Sequence, residues 1–98
     1  MTRSVLCAGC GAPLARPAAT IALLVMGDEH IESYWFCAAC DACTVRVACD
    51  HFHGEYEVWT RGPFARARGE DAVRRIAACP DPLDKFCKCP THRDWLWH

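Results

Sequence analysis

The sequence predicts an α+β fold: a small antiparallel β-sheet, one helix laid across it, and an irregular C-terminal loop held by side chains rather than by backbone ladders. Three observations predict it. Two Cys-x-x-Cys pairs, Cys7–Cys10 and Cys37–Cys40, bracket a stretch with hairpin composition. Helical periodicity is confined to residues 64–78. The stretch CPDPLDKFCKCPTH, residues 79–92, crowds three cysteines, a histidine and three prolines into fourteen positions.

At 98 residues the chain is near the lower limit of what one hydrophobic core holds together, and such chains add disulfides or metals. Nine cysteines supply either. Disulfides belong to oxidising compartments, which require export. The start MTRSVLCAGC has one arginine and too few apolar residues for a secretory leader. An odd number of thiols also leaves one unpaired in a disulfide-only monomer. The expectation is a cytoplasmic protein with reduced cysteines. The longest apolar run, Thr20 to Met26, is far shorter than the roughly 20 residues of a membrane span, so no membrane partner is expected. The formal net charge is −1, which argues against nonspecific attraction to a phosphate backbone.

The elements follow in order. CAGCGAP, residues 7–13, reads as a tight turn of small residues, and ATIALLVM, residues 19–26, as a buried strand. Gly27-Asp28-Glu29-His30 reads as a hairpin turn, IESYWFC (31–37) as an aromatic-rich strand, and CAACDAC as another turn. In TVRVACDHFH (44–53), Val45, Val47 and Cys49 alternate with Thr44, Arg46 and Ala48, the period of a strand. After Gly54, EYEVWT (55–60) alternates again. FARARGEDAVRRIAA (64–78) places Val73, Ile76 and Ala77 on one helical face, with Pro63 before it and Pro80 after it. Gly69 costs that helix about 1 kcal/mol against alanine. Beyond Cys79, prolines 80, 82 and 90 argue against regular structure. The whole chain, 1–98, is expected to be a single domain: a sheet over about 5–60, the helix, then a loop and tail over 79–98.

Two residues between cysteines let a turn aim both sulfurs at one point, where zinc accepts them about 2.3 Å away in a tetrahedron. The hairpin between the pairs returns the chain to its start and brings Cys37 and Cys40 beside Cys7 and Cys10. This arrangement resembles a zinc ribbon over about residues 5–50, although the spacer is slightly longer than usual. Cys79, Cys87, Cys89 and His92 offer a second donor set of three thiolates and an imidazole. Their loop has only Leu83 and Phe86 to bury, and a metal orders such a loop because its binding free energy is also folding free energy. Two zinc ions per chain are expected.

Through YWFCAAC, WTRGP and CPDPLDKFCKCPTH the chain also resembles small bacterial proteins with a zinc-ribbon start and a CPDP…CxCPxH ending. The resemblance covers most of the chain. It implies the two metal sites and implies no activity.

Cys43 and Cys49 remain. Cys37, Cys40 and Cys43 with Cys79 or Cys89 form the rival set, an iron–sulfur cluster in an electron-transfer or redox-sensing protein. It would leave Cys7 and Cys10 unused and lacks the second CxxCxxC run. Cys49 reads as a buried strand thiol. His51, His53 and Glu55 are the minimum for an open hydrolytic metal site, but an exposed strand end accounts for them as simply. Dithiol redox work needs a CxxC at a helix start, and none of the CxxC pairs precedes helical periodicity.

The functional expectation is a zinc-binding, non-enzymatic interaction module with a protein partner. Arg61, Arg66, Arg68, Arg74 and Arg75 form a local basic excess that offers a nucleic-acid alternative, against the plainer reading of a solvated face. Trp35 and Trp59 are expected in the core, and Trp95 and Trp97 to dock back on the sheet.

Overall fold

The computed structural model describes residues 5–51 and 54–95. Two short strands, β1 (Val5–Leu6) and β2 (Pro13–Leu14), pair antiparallel and carry the first Cys-x-x-Cys in the loop between them. Four longer strands follow: β3 (Ala19–Val25), β4 (Asp28–Phe36), β5 (Cys43–His51) and β6 (Glu55–Phe64). They form one antiparallel meander in that order. The β3–β4 turn is only Met26-Gly27, both with positive φ (50° and 89°), and Val25 pairs with Asp28. Two central residues of that hand match the twist of the flanking strands. The expected four-residue turn is thus corrected: residues 28–30 belong to β4.

Helix α1 (Arg66–Ala77) crosses one face of the sheet, packing on β3, β4 and β5. Ile76 meets Ile21, Leu23, Tyr34, Val45 and Val47 there. Val73 packs against this core, but Ala77 is exposed, because the inward stripe runs through Gly69, Ala72 and Ile76 instead. The helix starts two residues later than its periodicity suggested, since β6 runs through Pro63 to Phe64. At one end of the opposite face, Cys7, Leu14, Trp35 and Cys37 form a second cluster under the β1–β2 ribbon. Thr44, fully buried, accepts the Ala8 N–H at 2.9 Å on that side. Cover on both faces explains why β5 is buried almost throughout rather than alternately.

Two expectations fail here. Trp59 lies on the edge strand β6 and is 40% exposed, since no described strand pairs beyond that edge, whereas Trp35 is buried as expected. The chain past Cys79 is not wholly irregular: a second short helix, α2 (Pro90–Asp94), forms with Pro90 in its first turn. Proline fits there because that N–H has no helical partner in any case. Trp95, at the end of α2, is buried and donates its indole N–H to Glu32 at 3.0 Å. Trp97 and His53 lie outside the described residues. Among the described residues no helix is long and apolar enough to cross a membrane. The result is a small α+β domain with antiparallel sheets, two helices and a C-terminal Cys/His cluster.

Candidate metal centres

The first centre is built from two equivalent turns. In CAGCGA the Cys7 N–H reaches the Ala12 carbonyl at 2.8 Å and the Gly11 N–H the Cys7 carbonyl at 2.9 Å. In CAACDA the Cys37 N–H reaches Ala42 at 3.0 Å and the Asp41 N–H reaches Cys37 at 2.9 Å. Gly11 (φ 79°) and Asp41 (φ 65°) occupy the same left-handed position just after the second cysteine. Glycine and aspartate are among the residues that tolerate it. One turn closes the β1–β2 ribbon and the other joins β4 to β5. The sulfurs of Cys7 and Cys40 lie 3.4 Å apart and those of Cys10 and Cys37 3.6 Å. All four lie within 4.8 Å of one another. Sulfurs bound tetrahedrally at 2.3 Å would be about 3.8 Å apart, whereas a disulfide requires about 2.05 Å. Trp35 Nε1 is buried without a hydrogen-bond partner in the cluster that contains Cys7 and Cys37.

The second centre is assembled by α1, the loop after it and α2. Cys79 follows α1, its N–H bonded to the Ile76 carbonyl at 3.0 Å. The loop turns at Asp84, whose carboxylate accepts the Phe86 N–H and whose carbonyl accepts the Cys87 N–H. Cys89 is the N-cap of α2, its sulfur accepting the His92 N–H at 3.5 Å. The Cys79 sulfur lies 3.7 Å from Cys87 and 3.3 Å from Cys89, and His92 Nδ1 lies 3.2 Å from Cys79 and 3.4 Å from Cys89. His92 Nε2 faces the Ala22 carbonyl at 3.0 Å and therefore carries the proton. That leaves the Nδ1 lone pair aimed at the sulfurs; a metal-bound histidine typically gives its other ring N–H to a carbonyl in this way. The loop also covers the free edge of β3, where the Ala22 N–H donates to the Pro82 carbonyl at 2.8 Å. Leu83 and Phe86 stay about two-thirds exposed (66% and 64%), so they do not order the loop.

The electrostatics of the two quartets are alike. Backbone N–H groups at Cys10 and Gly9 draw the Cys7 thiol down to about 6. Cys40 is pushed up to about 12: its backbone hydrogen bond at Ala42 favours the thiolate but is outweighed by the Cys7 sulfur, burial and the other two thiols. In the second quartet, burial and the neighbouring sulfurs push Cys79 up to about 12. Cys89, although burial opposes it, is drawn down to about 6 by the His92 backbone and ring. Sulfurs this close do not all ionise together unless a cation sits among them. The donor sets of both clusters suit a soft or borderline dication: they are capable of coordinating metal ions.

The remaining candidates disperse. Cys43 is fully buried in the core under α1, and no group of metal-capable side chains among the described residues includes it. The iron–sulfur set of Cys37, Cys40 and Cys43 with Cys79 or Cys89 is therefore not brought together. Arg66 pairs with Asp41 at 2.7 Å and Arg74 with Asp71 at 3.0 Å. Arg61, Arg68 and Arg75 instead line a cavity of about 510 Å³ between α1 and the sheet, together with Glu32 and Tyr34. Arg61 and Arg68 both lie over the Phe64 ring, and Arg75 over Trp95.

Sequence reasoning missed two contributors. Glu32 is buried, yet it accepts hydrogen bonds from Tyr34, Trp95 and His30 at 2.7, 3.0 and 2.9 Å. Nothing local marks it, since its partners come from β4 and the distant tail. The helix that presents His92 did have a signal: a capping residue, proline, then a donor three residues after the cap. No protein-family model, curated protein or solved structure matches the chain, so its side chains carry the functional reading.

Proposed function

We propose that the chain is a zinc-clamped interaction module: one zinc-ribbon-like domain spanning 1–98, without chemistry of its own, working in the reducing cytoplasm. Cys7, Cys10, Cys37 and Cys40 hold one zinc. Cys79, Cys87, Cys89 and His92, through Nδ1, hold a second. The observation that supports this reading is the pair of four-donor clusters, each supplying a full tetrahedral shell. Zinc sites with four protein ligands serve structure, whereas catalytic ones keep a position open. The partner is a protein. Nucleic acid is the rival partner, disfavoured by the net charge of −1 and by Glu32 and Asp71, which line the same cavity as Arg61, Arg68 and Arg75.

The test is elemental analysis of protein dialysed against metal-free buffer. About two zinc per chain are expected, falling by about one in Cys10→Ser. Iron in place of zinc, visible as coloured protein, would favour a redox reading, because a four-thiolate tetrahedron accepts either metal. Metal-free protein with an unchanged fold would overturn the proposal.

A further inference from the structure

A third cluster lies apart from both centres, at the end of the sheet where β3 turns into β4. Cys49 and His51 are two residues apart on β5 and so share a face. Glu29 pairs with Asp50, which puts Asp28 opposite His51. The Cys49 sulfur, His51 Nδ1 and a carboxylate oxygen of Asp28 all lie within 4.8 Å of one another. Cys49 Sγ is 3.9 Å from His51 Nδ1, close to the roughly 3.6 Å expected of sulfur and nitrogen on one tetrahedral zinc. His51 Nδ1 and Asp28 Oδ2 are 2.7 Å apart. An ion would spread that pair by roughly 0.7 Å, which the Asp28 side chain, 29% exposed, has room to do.

Three features distinguish this cluster from an ordinary His–Asp pair. A buried thiol faces the same nitrogen. Glu57, across from Cys49 on β6, brings its carboxylate to 3.8 Å from His51 Nε2. At that distance it makes no hydrogen bond and adds negative charge on the far side of the ring; the Nδ1 proton shared with Asp28 is the one an incoming ion displaces. Finally, the carboxylates of Asp28 and Glu57 have His51, and no described arginine or lysine, within 4.0 Å, so the site is rich in negative charge without a fixed cation.

We propose that Asp28, Cys49 and His51 form a third metal site, for an exchangeable divalent ion of the zinc class. One sulfur, one nitrogen and one oxygen suit a borderline cation rather than magnesium or calcium. With three protein donors its fourth position is open to water, unlike the two closed centres, so its ion exchanges more readily. His51 is thus joined to Cys49 and Asp28; Glu55, its neighbour on β6, is not in the group.

The experiment compares zinc content after dialysis against metal-free buffer and against buffer holding micromolar free zinc. The wild type is expected to hold about two ions in the first condition and about three in the second. His51→Gln and Cys49→Ser should hold about two in both. Cobalt added to the two-zinc protein should give a thiolate-to-cobalt band that Cys49→Ser lacks. Should Cys49→Ser disturb the core, His51→Gln, on a half-buried residue, keeps the comparison valid. A wild type that never exceeds its metal-free-buffer count, or a His51→Gln protein that gains the extra ion equally, would overturn the proposal. Neither outcome bears on the closed centres, which are read from the metal-free buffer alone.

Discussion

Gly69 is buried where α1 faces the sheet. A Cβ there would lie 2.5 Å from the Cys43 sulfur and 2.7 Å from Phe36 Cε1, so something must move. Alanine would gain about 1 kcal/mol in helix propensity, but overpacking a filled core costs about 1–3 kcal/mol. Gly69→Ala should therefore lower the melting temperature, although an exposed helix position would show the reverse. Glu32 gives a second prediction at this scale. Burial alone would raise its carboxyl, but hydrogen bonds from His30, Tyr34 and Trp95 outweigh it and hold the group down at about 2, against an ordinary 4.5. A depressed folded value stabilises above the ordinary one, and the contribution fades as pH falls from 4.5 through 2. Glu32→Gln should cost about 3 kcal/mol at neutral pH. In denaturant titrations the gap between variant and wild type should narrow as pH drops below 5.

Among the elements, α2 decides how the tail is held. It is a single turn, too short to persist unaided, yet it carries His92 and leads into Trp95. It is tied at three places: the Cys89 cap, the Thr91 hydroxyl on the Arg75 carbonyl at 3.0 Å, and the His92 ring on Ala22. Cys87→Ser should remove about one zinc. It should also speed amide exchange over residues 79–95 and at Ala22, whose N–H depends on Pro82, while the two turns of the first centre keep their protection. The two CxxC turns, the four long strands and α1 are legible in place, though not in every boundary, because each is written in a few adjacent residues: CxxC pairs, alternation in β5, periodicity in α1; the two-residue strands β1 and β2 and the two-residue β3–β4 turn are not. In the tail three prolines argue against regular structure and mask a correctly placed helix start. Trp59 looks like a core residue in sequence because hydrophobicity does not reveal which strand lies at an edge. The grouping of His51 with Cys49 and Asp28 depends on strand register, which spacing along the chain does not display.

At the scale of the whole molecule, both clusters lie outside the larger apolar core. One lies under the two-residue strands β1 and β2, the other in the loop that leaves Leu83 and Phe86 outside. Between them, the sheet and α1 supply a core of their own. Metals would thus hold the ends of the molecule while burial holds its middle. Amide hydrogen exchange and a thermal melt on zinc-loaded and chelator-treated protein, side by side, test this most directly. The account predicts that removing the metal abolishes protection over residues 7–12, 37–42 and 79–92 and lowers the melting temperature sharply. Identical protection and an identical melt in both samples would contradict it.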